Sequence, residues 1–182
     1  MKVVKTYIDD LVIIEPTVFE DDRGYFYESY NKNEFEKHNL YYNFIQDNQS
    51  KSQYGTIRGL HFQIEPYAQT KLVRAISGRI LDVAVDLRNN KKTFGKSFAI
   101  ELSEQSKKQL LVPRGFAHGF AVLSETAVVS YKIDNIYKPE FERSIIYNDL
   151  TLNIDWKIDN NDVIISEKDK SENFFSAKNI YF

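Results

Sequence analysis

An all-β fold, built as an antiparallel sandwich or barrel, is what this 182-residue sequence predicts, on three observations. Aromatic residues make up 14% of the chain, with 13 Phe and 12 Tyr; aromatic and β-branched residues favour pleated, half-buried surfaces. Short apolar segments alternate with polar residues and are divided by turn signals. Helical patterning is confined to two short stretches. Most of the rings are therefore expected simply to fill a β core.

Strands are expected first at 11–19 and 24–30. A short helix follows from Asn31 to Asn39, with Asn31 or Asn33 as its cap and Phe35 packing inward. The next strand covers 55–63. Lys71–Ile76 and Ile80–Arg88 are divided by Ser77-Gly78-Arg79 and read as a hairpin. In its second arm Leu81, Val83, Val85 and Leu87 face one side, and Asp82, Ala84 and Asp86 the other. Further strands are expected at 97–102, 108–112, 118–123, 126–133 and 143–147. A second short helix begins after Ser166, with Glu167, Asp169 and Glu172 near its N-terminus. No repeat, low-complexity tract or linker interrupts the chain, so one domain over 1–182 is expected.

Charge narrows the partners. The chain has 24 basic and 26 acidic residues, a formal net charge of -2. No global basic field draws it to nucleic acid or to an anionic membrane, so an anionic ligand must be held by a local pocket. Cysteine is absent, which removes disulfides, thiolate metal ligands and thiol nucleophiles together. The start lacks a long apolar core and carries Asp9 and Asp10, unlike a signal peptide. No apolar run approaches the ~20 residues of a membrane helix. A cytoplasmic protein is expected.

Two of the three histidines sit in glycine-punctuated apolar segments, Arg58-Gly59-Leu60-His61-Phe62-Gln63 and Val112 to Phe120. Alternation puts His61 and Gln63 on one strand face and Leu60 and Phe62 on the other; His118, Phe120 and Val122 share a face. For one histidine alone, a core residue satisfied by a neighbouring backbone group is the better reading. Two histidines with Lys71 and Arg58 on the buried side are harder to explain as packing, because buried charge is costly without a partner or a purpose. Metal-dependent cupin jelly rolls use a His-x-His pair with a later Glu and a distant His. Here Phe62 and Gln63 follow His61, Gly119 and Phe120 follow His118, and His38 lies in a polar stretch. The ligand count fails, and a metal-free cavity is expected. With no Gly-x-Ser-x-Gly elbow and no Cys, proton transfer is the chemistry that remains. Tyr131 on a strand could supply a phenol, although a β-core tyrosine with its hydroxyl at the rim fits the pattern as well. Asp169 is anonymous in its local sequence.

The chain resembles the dTDP-4-dehydrorhamnose 3,5-epimerases over nearly its whole length. The resemblance runs through Phe19 to Ser29, Phe44 to Ser50, Leu60-His61-Phe62-Gln63, Lys71-Leu72-Val73-Arg74 and Asp82 to Arg88. It continues in Pro113 to Phe120, Tyr131-Lys132, Ile154-Asp155-Trp156 and Ile165 to Asp169. It implies a cupin-like jelly roll acting on a dTDP-4-keto-6-deoxy sugar without a cofactor. It implies that His61 is the base, Asp169 its carboxylate partner and Tyr131 the acid on the opposite face. Arg58, Lys71 and His118 match positions around the sugar and diphosphate. Gln46, Asn48, Ser166 and Lys168 match nucleotide-side contacts, and Tyr137 is a further substrate-side candidate. Arg23, Phe26 and Glu28 match a segment that embraces the thymidine and is usually lent by a partner subunit, so a homodimer is implied.

Overall fold

The structure, a computed structural model, describes residues 1–170 and 173–182. Two antiparallel sheets face each other in a cupin-like jelly roll. One sheet has the order β1 (Lys2–Lys5), β2 (Val12–Glu15), β10 (Gln109–Val112), β7 (Lys71–Ser77), β12 (Thr126–Ile133) and β5 (Gln46–Gln53). The other has β13 (Glu142–Ser144), β6 (Ile57–Gln63), β11 (Phe116–Val122), β8 (Arg79–Asp86) and β9 (Ser97–Ser103). A separate hairpin of β3 (Phe19–Asp21) and β4 (Gly24–Phe26) pairs only with itself among the described residues.

Three apolar layers follow from strand alternation. Val73, Ala75, Ala127 and Val129 meet Ile80, Ala84, Phe116, Phe120 and Val122 between the sheets. Leu81, Val83, Val85 and Leu87 line the opposite face of β8 and pack under Ile145, Leu152, Trp156 and Phe175 of the C-terminal coil. Val12, Ile14, Leu72 and Leu111 carry Phe35 of helix α1 (Lys32–Lys37). The two faces of β8 expected from its alternation are therefore both core faces, and Asp82 and Asp86 are fully buried.

The predicted helix forms where expected. The Asn31 side chain accepts from the backbone N–H groups of Asn33 and Glu34, satisfying donors that the first turn leaves free. The stretch after Ser166 is a 3₁₀ turn, Glu167–Lys170, with Asp169 buried; Glu172 lies outside the described residues.

Several expectations need correction. Lys71–Ile76 and Ile80–Arg88 are not a hairpin. β7 pairs with β10 and β12, whereas β8 pairs with β9 and β11. Gly78, at φ +75°, turns the chain from one sheet into the other, and a Cβ there would sit 2.2 Å from the Thr126 carbonyl oxygen. The expected strand 11–19 breaks into β2 and β3 around Pro16, which has no N–H to give a ladder. The strand at 24–30 shortens to β4. β1 and β5 were not expected from the sequence. β5 has no apolar residue, and its alternation appears only on folding: Asn48, Ser50 and Ser52 are half-buried while Asp47, Gln49 and Lys51 are exposed.

Candidate active site

The two histidine segments are adjacent strands. β6 and β11 run antiparallel with His61 opposite His118. Their glycines permit the approach: a Cβ on Gly59 would lie 2.6 Å from Gly119 Cα, and one on Gly119 would lie 2.7 Å from the Arg58 carbonyl oxygen. The punctuation seen in sequence is thus a close crossing of two backbones beside both imidazoles.

From there the cavity is assembled across the sandwich. A space of about 320 Å³ is lined by His61 and Gln63 of β6 on one sheet, and by Lys71, Tyr131, Gln46 and Asn48 on the other. An adjoining lobe of about 240 Å³ is bordered again by His61, Lys71 and Tyr131, and also by Ser50, Arg58, His118, Ser166, Lys168 and Asp169. Tyr131 therefore faces His61 from the opposite sheet. Tertiary structure also joins residues 108 positions apart: His61 Nε2 lies 2.6 Å from Asp169 Oδ1. The carboxylate accepts, so Nε2 carries the proton; Nδ1, with no partner among the described residues, is left as the basic nitrogen.

Electrostatics sharpen these roles. Burial pushes the Asp169 carboxyl up, but hydrogen bonds from His61, Ser166 and the Gly59 backbone more than offset it and hold the group below its ordinary value. Asp169 is an anion throughout the neutral range. Burial raises the Tyr131 phenol above its ordinary value, and Arg58 pulls it down only in part. Desolvation of the phenolate outweighs the guanidinium's attraction. Lys71 has no ion-pair partner among the described residues, and burial lowers it to about 8 against the opposing pull of Asp82 and Glu142.

Arg58 departs from the buried placement expected of it. It is exposed, and its Nε donates to Ser52 Oγ at 3.0 Å; it borders the cavity from outside. Gln46 Nε2 donates to Asn48 Oδ1 at 2.8 Å on the cavity-facing side of β5. Tyr137 donates to Glu142 Oε2 at 2.7 Å, and Lys168 donates to the same oxygen. Glu142 also lines the cavity and was missed in the sequence. It sits in an unremarkable Pro139-Glu140-Phe141-Glu142-Arg143 run, and only the pairing of β13 with β6 brings it to the site.

Three candidates do not join this chain's cavity. Arg23 pairs with Asp21 on its own hairpin, Phe26 is 66% exposed, and Glu28 accepts from Asn31 Nδ2. Among the described residues, no three His, Cys, Asp or Glu side chains converge as metal ligands.

Architecture and cavity together define a class, a jelly roll whose cavity is equipped for proton transfer, and the comparisons narrow it. The family model for dTDP-4-dehydrorhamnose 3,5-epimerase matches residues 5–177. The enzyme of that name from Escherichia coli K12 is 50% identical over 172 residues, covering 93% of this chain and 92% of its own. The crystal structure of the Elizabethkingia anophelis epimerase superposes with a TM-score of 0.93 at 59% identity, covering 98% of each chain. That of the Legionella pneumophila epimerase in complex with dTDP-4-keto-L-rhamnose gives 0.91 at 44% identity, covering 95% of this chain and 92% of that one. The chain belongs to the dTDP-4-dehydrorhamnose 3,5-epimerase family, and it is an enzyme, an epimerase.

Proposed function

We propose that the protein inverts C3 and C5 of dTDP-4-dehydro-6-deoxy-D-glucose to give dTDP-4-dehydro-L-rhamnose, in the cytoplasm, for dTDP-L-rhamnose biosynthesis. One observation carries the mechanism: a carboxylate-fixed imidazole and a phenol face each other from opposite sheets across one cavity. The C3 and C5 protons are α to the C4 carbonyl, so either can leave to a base if the enolate oxygen is stabilised. His61 Nδ1 removes the proton while Asp169 steadies the imidazolium that forms. Lys71 stabilises the charge at O4, with His118 beside it. Tyr131 returns a proton to the opposite face, which inverts the centre. The raised phenol suits this role, since it stays protonated until the carbanion draws on it. No electrons leave the substrate, so no redox cofactor enters the chemistry.

The same reading gives the nucleotide its contacts. Arg58 and Lys168 lie at the cavity rim for the diphosphate, with Gln46, Asn48, Ser166, Tyr137 and Glu142 beside them. Arg23, Phe26 and Glu28 reach the thymidine of a second chain's pocket in a homodimer. The Legionella structure with a bound dTDP-keto sugar supports this substrate class.

The test is turnover of dTDP-4-keto-6-deoxyglucose in deuterated water, trapped by a downstream reductase. Deuterium at both C3 and C5 is expected. Label at one carbon alone would make this a single-centre epimerase, and no label would end the reading. His61→Asn is expected to bind the substrate without turning it over; unchanged turnover would remove His61 as the base.

A further inference from the structure

We propose that Asp82 is the positioning residue of the electrophilic side of the cavity, fixing the His118 ring with one carboxylate oxygen and holding the Lys71 ammonium at O4 with the charge of the other. The proposal rests on the enolate reading above and adds a residue that the sequence left unassigned.

Asp82 is fully buried on the inner face of β8. Its Oδ1 lies 2.9 Å from His118 Nε2, and because a carboxylate oxygen accepts, the pairing calls for a proton on Nε2. Its Oδ2 is sealed from solvent and has no hydrogen-bond partner among the described residues. A buried carboxylate with one open oxygen weakens a fold unless a cation offsets it. The cation available is Lys71 of β7, which borders both lobes of the cavity. Asp82 and Glu142 both favour its protonated form, against burial. A lysine desolvated this far needs a fixed anion behind it to remain an ammonium at neutral pH. The other groups around Lys71 are His61 and Arg58 from β6, His118 from β11, Tyr131 from β12, and Lys168 and Asp169 from the 3₁₀ turn. Asp169 is engaged by His61, and Glu142 by Tyr137 and Lys168. Among these carboxylates, Asp82 is the one whose unpartnered oxygen is sealed from solvent among the described residues.

The experiment is Asp82→Asn, which keeps the shape and removes the charge. Expected are a fall in kcat of about ten- to a hundredfold and a KM within about threefold of the parent. The alkaline limb of kcat should move to lower pH by about one unit, because Lys71 loses its proton sooner. NMR titration of the lysine side chain in substrate-free protein should show the same direction of shift, independently of any mechanism. A folded variant with unchanged kcat and an unmoved alkaline limb would overturn the proposal. If His61→Asn is inactive beside it, the enolate reading stands; an active His61→Asn would sink that reading instead. Should Asp82→Asn not fold, ¹⁵N NMR of His118 in the unaltered protein still decides. Nε2 must carry a proton, and a ring protonated at Nδ1 alone refutes the assignment.

Discussion

Asp169 does two things at once, and pH separates them. Its carboxyl is held below the ordinary value in the folded chain, so the folded state binds fewer protons than the unfolded one. Its contribution to stability is therefore present above the unfolded carboxyl value of about 3.9 and is lost as pH falls through the lower folded value. Asp169→Asn should lower turnover by at least about a hundredfold near neutrality, because the ring tautomer is no longer fixed. The parent's loss of stability below about pH 4 should become shallower in the variant, as read by denaturant melts across that range. A variant with parental turnover would show that His61 needs no orienting anion. Tyr131 admits a cleaner cut. Tyr131→Phe removes one hydroxyl and leaves the buried ring, so stability and substrate binding should change little. Epimerised product should vanish while proton exchange on the His61 face survives. Full activity would hand the acid role to another phenol, with Tyr137 the first candidate, exposed and already donating to Glu142.

The histidine strands depend on backbones that only glycine allows to meet. Gly59 has φ +124°, and an added Cβ would press on Gly119 Cα at 2.6 Å and the His118 carbonyl oxygen at 2.8 Å. Both contacts are backbone and cannot swing away. Gly59→Ala should cost about 2–3 kcal/mol and lower kcat as well, since His61 and His118 are displaced together. Thermal unfolding and steady-state kinetics on the same preparation check this; an unshifted melting temperature would show that the crossing has slack. Elements whose alternation is written in apolar residues, such as β8 and β12, were legible in the sequence. β5 was not: Gln46–Gln53 gains its in-and-out pattern only by pairing with β12 along its full length. Nor could alternation name the partner of a strand. Ser77-Gly78-Arg79 reads as a hairpin turn whether the chain returns to the same sheet or climbs to the facing one. At the site, the glycine-flanked histidines announced themselves. Asp169 and Glu142 are ordinary surface-like residues until folding closes 108 positions between His61 and Asp169; only the resemblance singled out Asp169, and nothing singled out Glu142.

At the scale of the whole molecule, one feature lacks a purpose within a single chain. Among the described residues the β3–β4 hairpin pairs with nothing else, and its Phe19, Tyr25 and Phe26 are 62%, 57% and 66% exposed. A lone two-stranded ribbon is marginal in water. This one is tethered by Arg74, which donates to the Tyr27 hydroxyl, and by Lys107, which lies over the Tyr25 ring. A two-fold dimer would cover those rings and carry Arg23 into a neighbouring pocket, completing two equal sites at once. Light scattering should then give about twice the 21.3 kDa chain mass, and Arg23→Ala should lower activity without dissociating the dimer. Mixing is the decisive version. Arg23→Ala and His61→Asn chains, each nearly inactive alone, should regain activity when unfolded and refolded together. In a mixed dimer one pocket receives an intact His61 from the first chain and an intact Arg23 from the second, while the other pocket receives neither. Random pairing makes about half the dimers mixed, with half of their pockets whole, so about a quarter of parental activity should return. Were Arg23 to serve the pocket of its own chain, every pocket in the mixture would lack one group, and the refolded sample would be no more active than its components.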